Sequence, residues 1–309
     1  MLNKKTLLAL LISATATSAM AAGSETTILQ TGSYQNATVN QSGASHIADI
    51  IQEGAQTNTA LVDQAATRNT TSIFQSGEGN NATTNQRGIN SASSVIQVGN
   101  QNRVDVVLQA SRNNQSLIEQ DGNLNQARVV QGGGGDHFSE LFQSGDSNRA
   151  TLAQGGNVQE AYVEQTGTGN YVRSGQYGTR NNHDVIQTGE VNSTTISQTG
   201  RDQSAFIQQD GVSNDVRLIQ PGDLADAEIV QIGQDNTAEF EQAGRDNYAQ
   251  TYQDGSDNML DVTQSGAQNE AFITQAGMDN NAVLLQSSIG DYAAISQTGN
   301  GNMANVTQQ

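Results

Sequence analysis

Three histidines, His46, His137 and His183, are the only imidazoles in a chain of 309 residues that has no cysteine. Imidazole binds metals and carries protons, but only with partners close by. These three lie far apart and share no repeat unit. The lack of cysteine removes thiol nucleophiles, disulfides and Cys-ligated metal centres. Glu239 and Glu241 are two residues apart, a spacing that places both carboxylates on one face of a strand. On an outward face such a pair is solvated charge.

Gly132 to Gly135, followed by Asp136, invites comparison with the calcium-binding pattern GGxGxDxUx. The Asp comes one residue early and the phrase occurs once, whereas calcium solenoids stack many copies of the loop. It reads as a residue inserted at a turn. The sequons at Asn36, Asn81 and Asn305 follow from a repeat rich in Asn and Thr. No catalytic, metal or cofactor site is expected, and no enzyme.

The elements that carry these residues are unusual in composition. The chain has 32 Gly, one Pro, six Phe and no Trp, so an irregular core of large side chains is not expected. The formal net charge is −18, and the only lysines are Lys4 and Lys5. That balance argues against a nucleic-acid or anionic-lipid partner held by charge. Lys4 and Lys5 precede the apolar run Leu7 to Ile12 and small residues ending Ala19-Met20-Ala21. This is the layout of a secretory signal peptide. Residues 1–21 are expected to be a leader cleaved near Ala21 or Ala22, with 22–309 exported as one repeat domain. The apolar run is too short to span a bilayer, and no membrane insertion is expected.

From Ser24 onward the chain is one phrase repeated. Anchoring glutamines fall at 30, 41, 52, 64, 75, 86, 97, 109, 120, 131 and 143, then every eleven residues to Gln308. Three of the 25 intervals are twelve residues long: Gln52 to Gln64, Gln97 to Gln109, and Gln131 to Gln143. Glycine stands two residues after the anchor in 22 of 25 units, the exceptions being Ala66, Ser111 and Ser288. A short fixed period is the mark of a solenoid or array.

Within a unit the regular positions alternate, as they do along one face of a strand. Asn269, Ala271, Ile273 and Gln275 point one way, and Glu270, Phe272 and Thr274 the other. The constant face is the inner one. Gly145, Gly233 and Gly266 are turn positions. Ala150, Ala238, Ala271 and Ile273 are core. Gln143, Asn148, Gln154, Gln231, Asn236, Gln242, Gln264, Asn269 and Gln275 are expected to meet their own kind one rung on and form an amide ladder. The expected fold is all-β: a cross-β solenoid of two parallel sheets, with about 13 rungs of 22 residues, each made of two 11-residue strand-turn units.

Ser24-x5-Gln30-x-Gly32-x-x-Gln35-x-Ala37-x3-Gln41 follows the pattern S-x5-Q-x-G-x-x-N-x-A-x3-Q, with Gln35 in place of Asn. Gln143-x-Gly145-x-x-Asn148-x-Ala150-x3-Gln154 and Gln231-x-Gly233-x-x-Asn236-x-Ala238-x3-Gln242 match its second part fully. The array resembles the curlin family over essentially all of the chain after the leader, as a relative with many more repeats. The resemblance implies a bacterial functional amyloid, secreted through a dedicated outer-membrane pore with accessory proteins. It implies assembly with copies of itself and with other curlin subunits into cell-surface fibres for adhesion and biofilm.

The last unit, Gly299 to Gln308, keeps the repeat and is followed by no capping helix, so an open edge is expected to pair. Asp202, Asp246, Asp257 and Asp279 recur at turns, where charge would either delay pairing until export or simply aid solubility. The rival reading is a secreted monomeric solenoid that binds carbohydrate or another surface ligand. An ice-binding form of it would need a file of like residues, yet positions 38, 49, 239, 250 and 261 are Thr, Asp, Glu, Gln and Asp.

Overall fold

The computed structural model describes residues 13–18, 23–109 and 111–309. The candidate cleavage positions and the charged and apolar parts of the leader lie outside them. Strands are numbered β1 to β27 in chain order, from β1 (Ser13–Ser18), β2 (Glu25–Ser33) and β3 (Asn36–Ala44) to β26 (Tyr292–Asn300) and β27 (Met303–Gln308). Odd-numbered strands form one sheet of 14 and even-numbered strands another of 13, and every neighbouring pair with a printed register is parallel. Each strand pairs with the next but one, so two consecutive strands make a rung of the coil.

Alternation drives this arrangement. In Arg149–Asn157, Ala150, Leu152 and Gln154 are buried, while Arg149 is exposed and Thr151 and Ala153 are half-buried. Such a segment has one apolar face to cover, and only a second sheet can cover it. Parallel pairing one rung on brings like against like, as Ala249 with Ala271 and Gln253 with Gln275, and sets β-branched Thr251 beside β-branched Ile273. Thirteen rungs at the ~4.8 Å spacing of paired strands give a stack of about 60 Å. The core between the sheets is thin, made of alanines and aliphatic side chains, with Phe240 the largest fully buried group.

The turn is built at two corners. Gly145 and Gly233 have φ of 106° and 113° and still lie within strand hydrogen bonding, whereas Gly266, at 105°, lies between strands. Two residues on, Ser147, Asp235 and Gln268 sit in the left-handed region at 60°, 55° and 58°. A Cβ on Gly233 would overlap the carbonyl oxygen of Gly255 in the next rung, so glycine there answers both a positive φ and a close backbone approach.

Ser13–Ser18, within the expected leader, is a strand that pairs with β3 in register from Ser13↔Asn36 to Ser18↔Gln41. The structure departs from the sequence reading at one anchor. The file assigned to Gln109 is held instead by Leu108, which pairs with Gln86 on one side and Gln131 on the other and is fully buried. Gln109 falls outside the strand, and the twelve-residue interval therefore lies after Leu108, not before it.

Candidate assembly site: ladders and rung faces

Most anchoring glutamines make two kinds of bond. Gln143 Nε2 donates to Gln165 Oε1 at 2.8 Å, while its own Oε1 accepts from Gln120 at 2.7 Å. Gln154 donates to Gln176 at 3.0 Å, Gln231 to Gln253 at 2.8 Å, Gln242 to Gln264 at 2.9 Å, Gln264 to Gln286 at 2.9 Å and Gln275 to Gln297 at 2.9 Å. The same Nε2 reaches across to the opposite sheet, as from Gln154 to the Phe138 carbonyl at 3.0 Å and from Gln275 to the Met259 carbonyl at 2.9 Å. These amides therefore tie rung to rung and sheet to sheet. A buried amide must be paired, and leaving one unmade costs ~1–3 kcal/mol.

Asparagine acts differently. Asn148 Oδ1 accepts the backbone N–H of Asn170 at 3.0 Å, and its Nδ2 donates to the carbonyls of Ser144 and Gly167 at 3.2 and 3.0 Å. Asn269 Oδ1 takes the N–H of Asp291 at 3.0 Å, and its Nδ2 donates to Ser265 O at 3.0 Å. These side chains bracket the turn backbone instead of forming a simple side-chain file. Asn236 does both, donating to Gly255 O at 3.0 Å and to Asn214 Oδ1 at 3.1 Å.

His46 and His137 occupy this asparagine slot and copy its bonds. His46 Nδ1 accepts the Asn69 N–H at 3.3 Å, and its Nε2 faces the Ser42 carbonyl at 3.1 Å. His137 does the same with the Gln159 N–H and the Gly132 carbonyl, at 3.3 and 3.2 Å. Burial holds the His137 imidazole below its ordinary range, against the opposing pull of the Gly132 carbonyl and Asp136. His183 replaces a core alanine between Ala161 and Ala205 and faces Ser174 Oγ at 3.4 Å. Full burial pushes it down to about 3, so it is neutral at physiological pH.

Among the described residues no three His, Asp or Glu side chains gather as a metal site. Asp136 instead accepts from Asn113 Nδ2 at 2.8 Å in its turn. Glu239 is exposed and paired with Arg217 on the neighbouring strand. Ala150, Ala238, Ala271 and Ile273 all lie in the core between the sheets.

A rung with glutamine in both files thus offers amide donors on one side and acceptors on the other. A parallel solenoid of such rungs has the architecture of an amyloid-type repeat protein. The chain belongs to the curlin family: the Curlin associated repeat matches residues 22–54, 139–167, 145–178, 178–211, 190–222 and 255–287. That family is structural, not enzymatic, and membership implies self-assembly and extracellular fibres. No curated protein matches the chain.

Proposed function

We propose that this protein is a structural subunit of curli-like amyloid fibres, exported and assembled at the bacterial surface for adhesion and biofilm matrix. The observation that carries the reading is the polarity of the rungs. The rung of Gln297 and Gln308 receives ladder bonds from Gln275 and Gln286 and presents its own Nε2 groups along the axis. The rung of Gln30 and Gln41 donates to Gln52 and Gln64, and the buried Gln30 Oε1 has no partner among the described residues. A second copy stacked on the first joins these two surfaces, pairing β26 with β2 and β27 with β3.

In this reading residues 1–21 are a leader and 22–309 the assembling domain. Strand β1 lies on the edge of β3 that the neighbouring copy's β27 would take, so removal of the leader frees that edge. Export through a curli-type pore with accessory proteins, and co-assembly with other curlin subunits, belong to the same proposal. Electron microscopy and fibre diffraction of the refolded 22–309 chain, with and without seeds, test it. Fibres with a cross-β reflection are expected, growing faster when seeded. A chain that stays monomeric at high concentration with seeds present overturns it.

A further inference from the structure

The two outer faces of the solenoid differ in charge. Among the described residues no arginine or lysine lies in any strand of the even sheet, so every charged side chain there is a carboxylate. Strand arginines lie only in the odd sheet.

Their spacing is regular. Down the centre of the odd face, three residues before the ladder glutamine, run Arg128, Thr151, Arg173, Thr195 and Arg217 on successive strands. Down the centre of the even face run Glu140, Tyr162, Asp184, Phe206 and Glu228. Arginine alternates with threonine on one side and carboxylate with aromatic ring on the other, both with a two-rung repeat of ~9.6 Å.

We infer that the odd face of one solenoid docks on the even face of a second copy, side by side and with parallel axes. A copy shifted sideways with about half a rung of axial slip sets each odd strand against the even strand that follows it in sequence. Arg128 then meets Glu140, Arg173 meets Asp184 and Arg217 meets Glu228, while Tyr162 and Phe206 sit over Thr151 and Thr195. The flanking files agree in the same placement, because Arg103 meets Glu119 and Arg149 meets Glu164. No carboxylate meets a carboxylate in these files.

The groups are available for this. Arg103, Arg149 and Arg173 form no ion pair among the described residues, and Arg128 and Arg217 remain more than half exposed beside Asp105 and Glu239. Arg103, Arg128 and Arg149 line a shallow groove with Asp105 and Thr151, open to an incoming side chain. Tyr162 and Phe206, set over threonines, each lie one rung from two guanidiniums of the facing file, which adds cation–π contact to the ion pairs. Exposed pairs are individually weak, so the contact depends on the file acting together. The inference needs no end-to-end growth, since it concerns faces and not ends.

The test uses the 22–309 chain at low and high salt, with bundle width read by electron microscopy and, for unpolymerised chain, dimer formation read by analytical ultracentrifugation. Lateral association is expected at low salt and lost at high salt, where charges are screened. The triple variant Arg128→Glu, Arg173→Glu, Arg217→Glu should lower it by about tenfold or more. So should Glu140→Arg, Asp184→Arg, Glu228→Arg, and mixing the two variants should restore it. The milder Arg128→Gln, Arg173→Gln, Arg217→Gln set guards against a folding defect, with circular dichroism as the control. Bundling that survives the arginine variants at low salt, or a mixture that fails to restore it, overturns the inference. Loss of fibres with persistence of salt-sensitive dimers would count against the proposed function and in favour of the lateral contact.

Discussion

Gln30 donates its side-chain amide to Gln52 Oε1 at 2.7 Å, yet its own buried Oε1 accepts from no group among the described residues. The ladder is therefore open at this rung. Replacing Gln165 by Ala removes the ladder partner of Gln143 Nε2, which keeps only the Gln126 carbonyl, and leaves the Oε1 of Gln187 unpaired within the core. A cost of ~2–4 kcal/mol is expected, read as a lower denaturant midpoint. Gln30→Ala should cost about 1 kcal/mol or less of that stability. It should nevertheless slow seeded elongation, because it removes the acceptor offered to the next copy. Thioflavin-monitored growth from preformed seeds separates the two effects.

Leu108 is a natural gap in the same ladder. Gln86, one rung before it, turns its Nε2 to the Thr70 and Ser91 carbonyls, and Gln131, one rung after, has an unpartnered Oε1. Leu108→Gln should close the file and raise stability by ~1 kcal/mol, provided the lost apolar burial is offset by the new bonds. A variant less stable than the parent in guanidinium would show that the aliphatic contact matters more at this rung.

The left-handed turn position is occupied by Asp202, Asp235, Asp246, Asp257 and Asp279, but also by Val158 and Val191, all with φ between 55° and 60°. Aspartate and asparagine tolerate this region and β-branched residues do not. Val191→Asn should therefore stabilise by ~1 kcal/mol. Changing Asp246, Asp257 and Asp279 to Asn keeps the backbone preference and removes only charge. Asp202 is best left alone, since Arg180 bonds it at 2.5 and 2.7 Å and holds its carboxyl below the usual range. A shorter assembly lag in the triple Asn variant supports a role for turn charge in delaying pairing, and an unchanged lag leaves the aspartates with their backbone role alone.

His183 ties stability to acid. In the folded chain burial lowers it to about 3, whereas the unfolded imidazole titrates near its ordinary value of 6.5. Between those values the unfolded state binds the extra proton, so the His183 contribution is constant above pH 6.5 and is lost as pH falls toward 3. The slope is ~1.4 kcal/mol per pH unit at most. Asp184 and Asp226 act in the opposite sense, since burial raises both. Comparing the parent with His183→Ala isolates the imidazole: the difference should shift by about 2–3 kcal/mol between pH 7 and pH 4.5 in favour of the variant. Chemical denaturation at the two pH values measures it, and a pH-independent difference would rule out a buried neutral histidine.

Much of this molecule follows from the sequence alone, for a physical reason. A strand has a side-chain period of two, so residues such as Ala271, Ile273 and Gln275 declare their common face without any knowledge of the fold. An eleven-residue repeat then forces like residues into files once turns stack. The tertiary structure decided what linear spacing leaves open. Hydrogen-bond register across 22 or 23 residues, and not the nearest glutamine, put Leu108 in the file and Gln109 outside it. Local geometry at the turn made asparagine a bracket for backbone and let His46 and His137 stand in for it. The segregation of charge arose only on coiling, because adjacent units of the chain go to opposite sheets. Arg128 and Glu140 are close in sequence and lie on opposite faces, a separation that only the solenoid reveals.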